Sequence, residues 1–184
     1  MDVQGLDTER FHAAWQATVD AQDILRSGFV WPGQLQQPLQ IVHKKVQLPF
    51  TVLDWRERSD LSLALAALAD SERAQGFDLS HAPLLRLMVV QTGAGQWHLI
   101  YTYHHILMDG WSNSQLLGEV MQRYSGRTSA SAIGGYRDYI AWLQRQDGQL
   151  SEAFWSAQLA TLQEPTRLAR VMSASEIHSG HGDH

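Results

Sequence analysis

Two extended runs, Leu84 to Val90 and Trp97 to Tyr103, separated through Gly93-Ala94-Gly95, constrain this chain more than any other segment. Their content of branched, aliphatic and aromatic residues favours strands. The glycines between them allow a short reversal, so the pair predicts an antiparallel hairpin. The first run is apolar on both faces except for Arg86, which calls for cover on both sides of the sheet it joins. At 184 residues and 44% hydrophobic content, one domain of ordinary size can supply that cover.

The cover is predicted to be helical. Asp7 or Thr8 caps a helix with Phe11, Trp15 and Val19 at steps of four, running to about Leu25 and stopped by Gly28. Ser59 or Asp60 opens a second helix, with Leu61, Leu65 and Leu68 on its apolar side and Gly76 past its end. Ser112 and Gln115 form the S-x-x-Q of a capping box for a third, which carries Leu116, Leu117, Val120 and Tyr124 toward the core. Tyr136 to Gln146 and Ser151 to Gln163 read as two more helices, with Tyr136, Tyr139, Ile140 and Leu143 on the first and Phe154, Trp155, Leu159 and Leu162 on the second.

Short extended pieces are expected at Phe29-Val30-Trp31, Leu39 to Val46 and Phe50 to Leu53, with a turn at Pro32-Gly33. A flexible loop is expected from Ser125 to Gly135, and Pro165 ends the regular pattern. The fold class is α/β in the layered α+β sense, with helices packed on a largely antiparallel or mixed sheet.

Composition removes several functions. A net charge of −5 without a Lys/Arg cluster argues against general nucleic-acid binding. The absence of cysteine excludes disulfides, thiolate nucleophiles and Cys-type zinc sites. The longest apolar stretch, Leu61 to Ala69, is too short for a membrane span, and Met1-Asp2-Val3-Gln4 lacks the character of a signal peptide. The expectation from these features is a cytoplasmic protein.

Chemistry concentrates in Tyr103-His104-His105-Ile106-Leu107-Met108-Asp109-Gly110-Trp111-Ser112, between a predicted strand and a predicted helix. Strand alternation puts Tyr101, Tyr103 and His105 on one face and Thr102 and His104 on the other, so only one imidazole is expected to be the reactive group. Asp109 either orients an imidazole or locks the loop through an arginine. Gly110 permits a tight turn with φ > 0, and the amides of Gly110 and Trp111 could face a developing negative oxygen.

Three readings fit the spacing: two satisfied histidines in a turn, a metal site, or acid–base catalysis of acyl transfer. The regularly spaced His178, His181 and His184 sit in a Gly/Ser-rich terminus and are expected to form a loose segment, so no metal site is assigned. With no Gly-x-Ser-x-Gly elbow, a histidine without an activated serine suits direct attack by the acceptor substrate.

The run His104-His105-Ile106-Leu107-Met108-Asp109-Gly110 resembles the HHxxxDG motif of condensation domains in nonribosomal peptide synthetases, a branch of the chloramphenicol acetyltransferase-like superfamily. Trp111-Ser112 narrows the match. Asp23-Ile24-Leu25-Arg26-Ser27-Gly28-Phe29, Phe77 to Arg86, Tyr136-Arg137-Asp138-Tyr139 and Phe154 to Leu159 resemble further motifs of that family.

The resemblance implies a two-lobed fold with a tunnel between the lobes. Carrier proteins dock at its ends and deliver substrates on phosphopantetheine arms, and the domain itself binds no cofactor. An acceptor amine attacks a donor thioester and an amide forms. His105 would be the catalytic histidine and His104 a structural one. Asp109 would hold the loop by pairing with Arg26 or Arg86, with Gly110 in support, and Trp111 and Ser112 are candidates for the substrate channel.

An epimerisation domain of the same superfamily and a non-catalytic recruitment module are the alternatives. The family usually carries Arg-His where Ala21-Gln22 stand here, which would alter the clamp on the aspartate. The chain also has about half the family's length and lacks the strand and motif expected before Val3. It is therefore expected to be the amino-terminal lobe over residues 1–165, with 166–184 starting the connection to a second lobe. The missing lobe and an adenylation domain of the parent synthetase would be its partners beside the carriers.

Overall fold

The computed structural model describes residues 1–31, 33, 38–127, 135–162 and 164, and the chain divides into two compact units, residues 1–138 and 139–184. Pro32, most of the predicted 125–135 loop, Pro165, His178, His181 and His184 lie outside the described residues.

The first unit runs β1 (Asp2–Gln4), α1 (Thr8–Ala21), β2 (Ser27–Val30), β3 (Leu39–Val42), β4 (Phe50–Asp54), α2 (Leu61–Gln75), β5 (Leu85–Gly93), β6 (Gln96–Tyr103) and α3 (Gly110–Tyr124). Four strands form a sheet in the order β1-β6-β5-β4, and β2 and β3 form a separate antiparallel pair. The predicted hairpin is β5 and β6, antiparallel with Leu85 opposite Tyr103 and an irregularity between Gln91 and Gly93 at the turn. Gly95 takes a φ of 70° there, which a side chain resists. Because β4 joins β5 in parallel, the sheet is mixed. β1 pairs with β6 through Val3 opposite Trp97, so a short edge strand stands where none was expected.

Both faces of the sheet are covered. Phe11, Trp15 and Val19 of α1 are buried at the predicted four-residue steps. They share one core with Leu85, Leu87 and Val89 of β5 and Leu116 and Val120 of α3. Each such aliphatic or aromatic side chain contributes roughly 1.5–3 kcal/mol through burial. The opposite face is looser. On α2 only Ala64 and Glu72 are buried, Leu61, Leu65 and Leu68 are half-buried, and Leu63 is exposed.

Two local expectations are corrected. The first helix ends at Ala21 and not near Leu25, because Gln22 turns extended (φ −106°, ψ 113°) and Asp23–Arg26 form a 3₁₀ turn. That turn satisfies itself: Arg26 pairs with Asp23 at 2.5 Å, and the Ser27 hydroxyl donates to the Asp23 carbonyl at 2.9 Å. Gly28 is therefore no helix stop. It lies in β2, where a Cβ would come within 2.9 Å of the Ser80 carbonyl oxygen, so close backbone approach explains the glycine.

The remaining helices are α4 (Tyr136–Leu143), which crosses the division between the units, and α5 (Gly148–Leu159). Asp147 caps α5 by accepting from the Gln149 and Leu150 amides, so this helix starts three residues before the predicted Ser151. Neither helix holds a buried residue, although each carries the apolar residues read from the sequence. Trp142, Phe154 and Trp155 are all more than half exposed, and the rings meet their own helix neighbours: Tyr139 stacks on Trp142 and Phe154 meets Trp155 edge-on.

Candidate active site

Just past the end of β6, the two adjacent histidines meet different surroundings. On the α1/α3 face a ladder of rings climbs toward the strand end. Trp15 meets Tyr101 at 5.0 Å between centroids, Tyr101 stacks on Tyr103 at 5.0 Å, and Tyr103 lies 6.5 Å from His105. The ladder begins in the core, where Trp15 is fully buried, and ends in an exposed imidazole at His105. The Tyr101 hydroxyl donates to Asn113 Oδ1 at 3.2 Å and ties the strand to α3. Burial, with a smaller contribution from Tyr103, pushes the Tyr101 hydroxyl well above the usual tyrosine range and keeps it a neutral donor.

His104 points the other way. Its ring meets Phe77 edge-on at 6.4 Å, its amide donates to the Leu84 carbonyl at 2.9 Å, and its Nδ1 accepts from the Ile106 amide at 3.1 Å. The Leu107 amide donates to the His104 carbonyl at 3.1 Å and closes a turn. Leu107 and Met108 are buried and anchor the loop in the core. His105 is thus held by its neighbours while its own ring remains accessible.

The loop runs directly into α3, and Asp109 is the residue that starts the helix. Its backbone is extended (φ −88°, ψ 178°), and its Oδ1 accepts from the Ser112 amide at 2.8 Å. Hydrogen bonds from the Ser112 backbone and side chain hold the Asp109 carboxyl below the usual range against slight desolvation, with His105 adding a smaller electrostatic effect. Asp109 therefore works as an N-cap. Ser112, predicted as the cap, lies three residues inside the helix.

The expected arginine clamp is not formed by either candidate. Arg26 pairs with Asp23 and donates to the carbonyls of His43 and Lys44. Arg86 pairs with Glu72 and donates to the Glu72 and Gly76 carbonyls. Each guanidinium is engaged by its own surroundings, and the cap geometry already uses the Asp109 carboxylate. Gly110 also departs from expectation: it is the first helical residue, is absent from the positive-φ glycines, and has open space where a Cβ would stand.

Ser112 opens on a cavity of about 390 Å³ whose lining includes Gln22, Ile24, Leu107, Met108 and Glu119. Gln22, at the position where Arg-His was expected, donates to Glu119 at 2.8 Å, and Glu119 also pairs with Arg123 at 2.5 Å. Trp111 is 78% exposed at the open end of α3. Sequence reasoning placed Tyr101 and Tyr103 on the face of His105 but missed Asn113, which accepts from the Tyr101 hydroxyl. Among the described residues no cluster of three metal-ligating side chains forms, and no helix is long and apolar enough to cross a membrane.

The condensation-domain family model matches residues 3–183. This chain belongs to the condensation-domain family. It is 41% identical over 172 residues to chondramide synthase cmdD of Chondromyces crocatus and 38% identical over 172 residues to a linear gramicidin synthase of Brevibacillus parabrevis. Each alignment covers 90% of this chain but only 4% and 3% of those relatives.

Solved structures agree in fold. The EpoB cyclization-docking bidomain of a nonribosomal peptide synthetase from Sorangium cellulosum superposes with a TM-score of 0.77 at 25% identity, covering 89% of this chain and 33% of that one. The starter condensation domain of rhizomide synthetase RzmA gives 0.74 at 24% identity, covering 89% and 43%. The chain thus spans less than half of the solved condensation-type chains it resembles, and its α/β architecture of a mixed sheet with helices is that of a condensation-domain lobe.

Proposed function

We propose that residues 1–165 are the amino-terminal lobe of a condensation domain that joins a carrier-bound donor thioester to a carrier-bound acceptor amine, with 166–184 starting the connection to a second lobe. The observation that carries the reading is the placement of His105: an accessible imidazole at the end of a packed ring ladder, beside a neighbour whose ring is already engaged. In this reading the amine nitrogen attacks the thioester carbonyl carbon. The C–N bond forms, the C–S bond breaks, and the proton lost by nitrogen ends on the departing sulfur.

An α-amino group has a pKa of roughly 8, so it must be neutral before attack. His105 accepts the amine N–H and aims the nitrogen lone pair at the carbonyl. His104 fixes the turn, Asp109 caps α3, and Gly110 keeps the helix start open. Trp111 lies at that opening and Ser112 borders the cavity beside it, consistent with roles along the channel.

Phosphopantetheine arrives as the arm of the carrier proteins and is part of the substrate, so no cofactor of the domain's own is invoked. The partners in this reading are the donor and acceptor carriers, the second lobe and an adenylation domain.

The test uses the parent protein with both carriers loaded and follows products by mass spectrometry. A folded His105→Ala variant should lose amide formation by roughly a hundredfold or more, the range for a positioned acid–base group. Unchanged amide formation would reject the assignment. Epimerised thioester without amide would move the chain to the epimerisation branch of the superfamily.

A further inference from the structure

We propose that Glu72, Arg86 and Phe77 are positioning residues that fix the ring of His104 and, through it, the loop that presents His105. The looser face of the sheet carries one nearly buried ion pair, Arg86 with Glu72, at 12% and 11% side-chain exposure. A buried pair of this kind is not needed for stability, since apolar residues of similar volume would serve as well. Its geometry suggests another use. Glu72 takes the Nε side of the guanidinium, and the Glu72 and Gly76 carbonyls take its terminal nitrogens, the latter at 2.9 Å. The planar group is thereby locked in orientation.

Its flat face lies over Phe77, with Cζ 4.4 Å from the ring centroid. Phe77 in turn presents its ring to His104 at 88° and 6.4 Å. This leaves one productive setting of the imidazole, in which Nδ1 accepts from the Ile106 amide, and a neutral ring in that setting carries its proton on Nε2. The Ile106 amide is the first backbone group after His105. A rotated His104 ring would release it and with it the turn that orients His105. The contacts stand whatever His105 does; their value as positioning rests on His105 as the reactive group.

The experiment is a long-range ¹H–¹⁵N correlation of the imidazoles in the full 184-residue chain, with the His104 signal assigned by its loss in His104→Asn and Ile106 amide exchange measured alongside. Wild type should show His104 as the Nε2–H tautomer. Folded Phe77→Leu should show averaged tautomers and roughly tenfold faster Ile106 exchange, the size expected for one lost aromatic edge contact. Phe77→Tyr, which keeps the ring, should keep the wild-type pattern. A purely structural role for the ion pair would leave the His104 tautomer unmoved.

Should Phe77→Leu fail to fold, Arg86→Lys decides, since it keeps the charge but loses the planar fork. It is expected to shift the tautomer in the same direction. A wild-type His104 protonated at Nδ1, or folded Phe77→Leu or Arg86→Lys with an unchanged His104 pattern, would overturn the proposal. None of these spectra depends on amide formation, so failure of the catalytic reading of His105 would be seen separately.

Discussion

The two faces of the central sheet are built from different chemistry. Toward α1 and α3 the side chains are aliphatic and aromatic, and Trp15, Val19, Leu85, Leu87, Val89 and Val120 are essentially inaccessible. Toward α2 the cover is half-exposed, and it includes the nearly buried charged pair of Arg86 and Glu72. The first face gains stability by excluding water. The second gains geometry by fixing directed groups, and the histidines at the end of β6 divide between them. His105 rides on the dry face's ring ladder, whereas His104 is held by Phe77 over the polar one.

That division is open to test, and the largest effect belongs to the dry face. Trp15→Ala should cost about 3–5 kcal/mol, as for other large-to-small core changes, measured by denaturant unfolding. Arg86→Ala should cost about 3 kcal/mol, at the lower edge for breaking a buried pair because both partners keep some solvent contact. The Glu72→Met/Arg86→Met double variant should recover most of that loss. If the double variant instead unfolded as readily as Trp15→Ala, the polar face would be the main source of stability and the contrast would fail.

Gly28→Ala drives a Cβ against the Ser80 backbone and should cost about 1–3 kcal/mol, the range for overpacking. Acidification probes the helix start. The Asp109 carboxyl is lowered by its hydrogen bonds to Ser112, so its contribution is present above the unfolded value of about 4 and is lost as pH falls through the lower folded value. Asp109→Asn retains a capping acceptor and should flatten that part of the thermal-midpoint-versus-pH curve below about pH 4. Gly110→Ala is the smallest: with helical φ and open space, it should shift stability by no more than about 0.5 kcal/mol.

Much of the arrangement was legible because it is periodic. Steps of four placed Phe11, Trp15 and Val19 in the core, and strand alternation, read just past the end of β6, separated His104 from His105. What escaped was non-local or locally ambiguous. Arg86 finds Glu72 fourteen positions earlier, on another element, and nothing in the intervening sequence marks the pairing.

Around the third helix, two capping patterns overlap: Ser112 with Gln115 looked sufficient, but Asp109 lies one turn earlier and its short carboxylate reaches the Ser112 amide first. The end of α1 gave no warning because Gln22 is neither glycine nor proline, and the 3₁₀ turn after it is held by Asp23, Arg26 and Ser27 side chains. The stripes of α4 and α5 have the period of buried helices, yet period alone names no surface to bury them.

The central claim is that adjacent histidines hold separate offices, one in the frame and one in the chemistry. It is tested most directly by comparing His104→Ala and His105→Ala in the parent protein, reading thermal midpoint and amide yield from loaded carriers on the same samples. The account predicts that His105→Ala keeps the wild-type midpoint and loses the amide product, whereas His104→Ala lowers the midpoint. A His105→Ala protein that forms amide at the wild-type rate would contradict it.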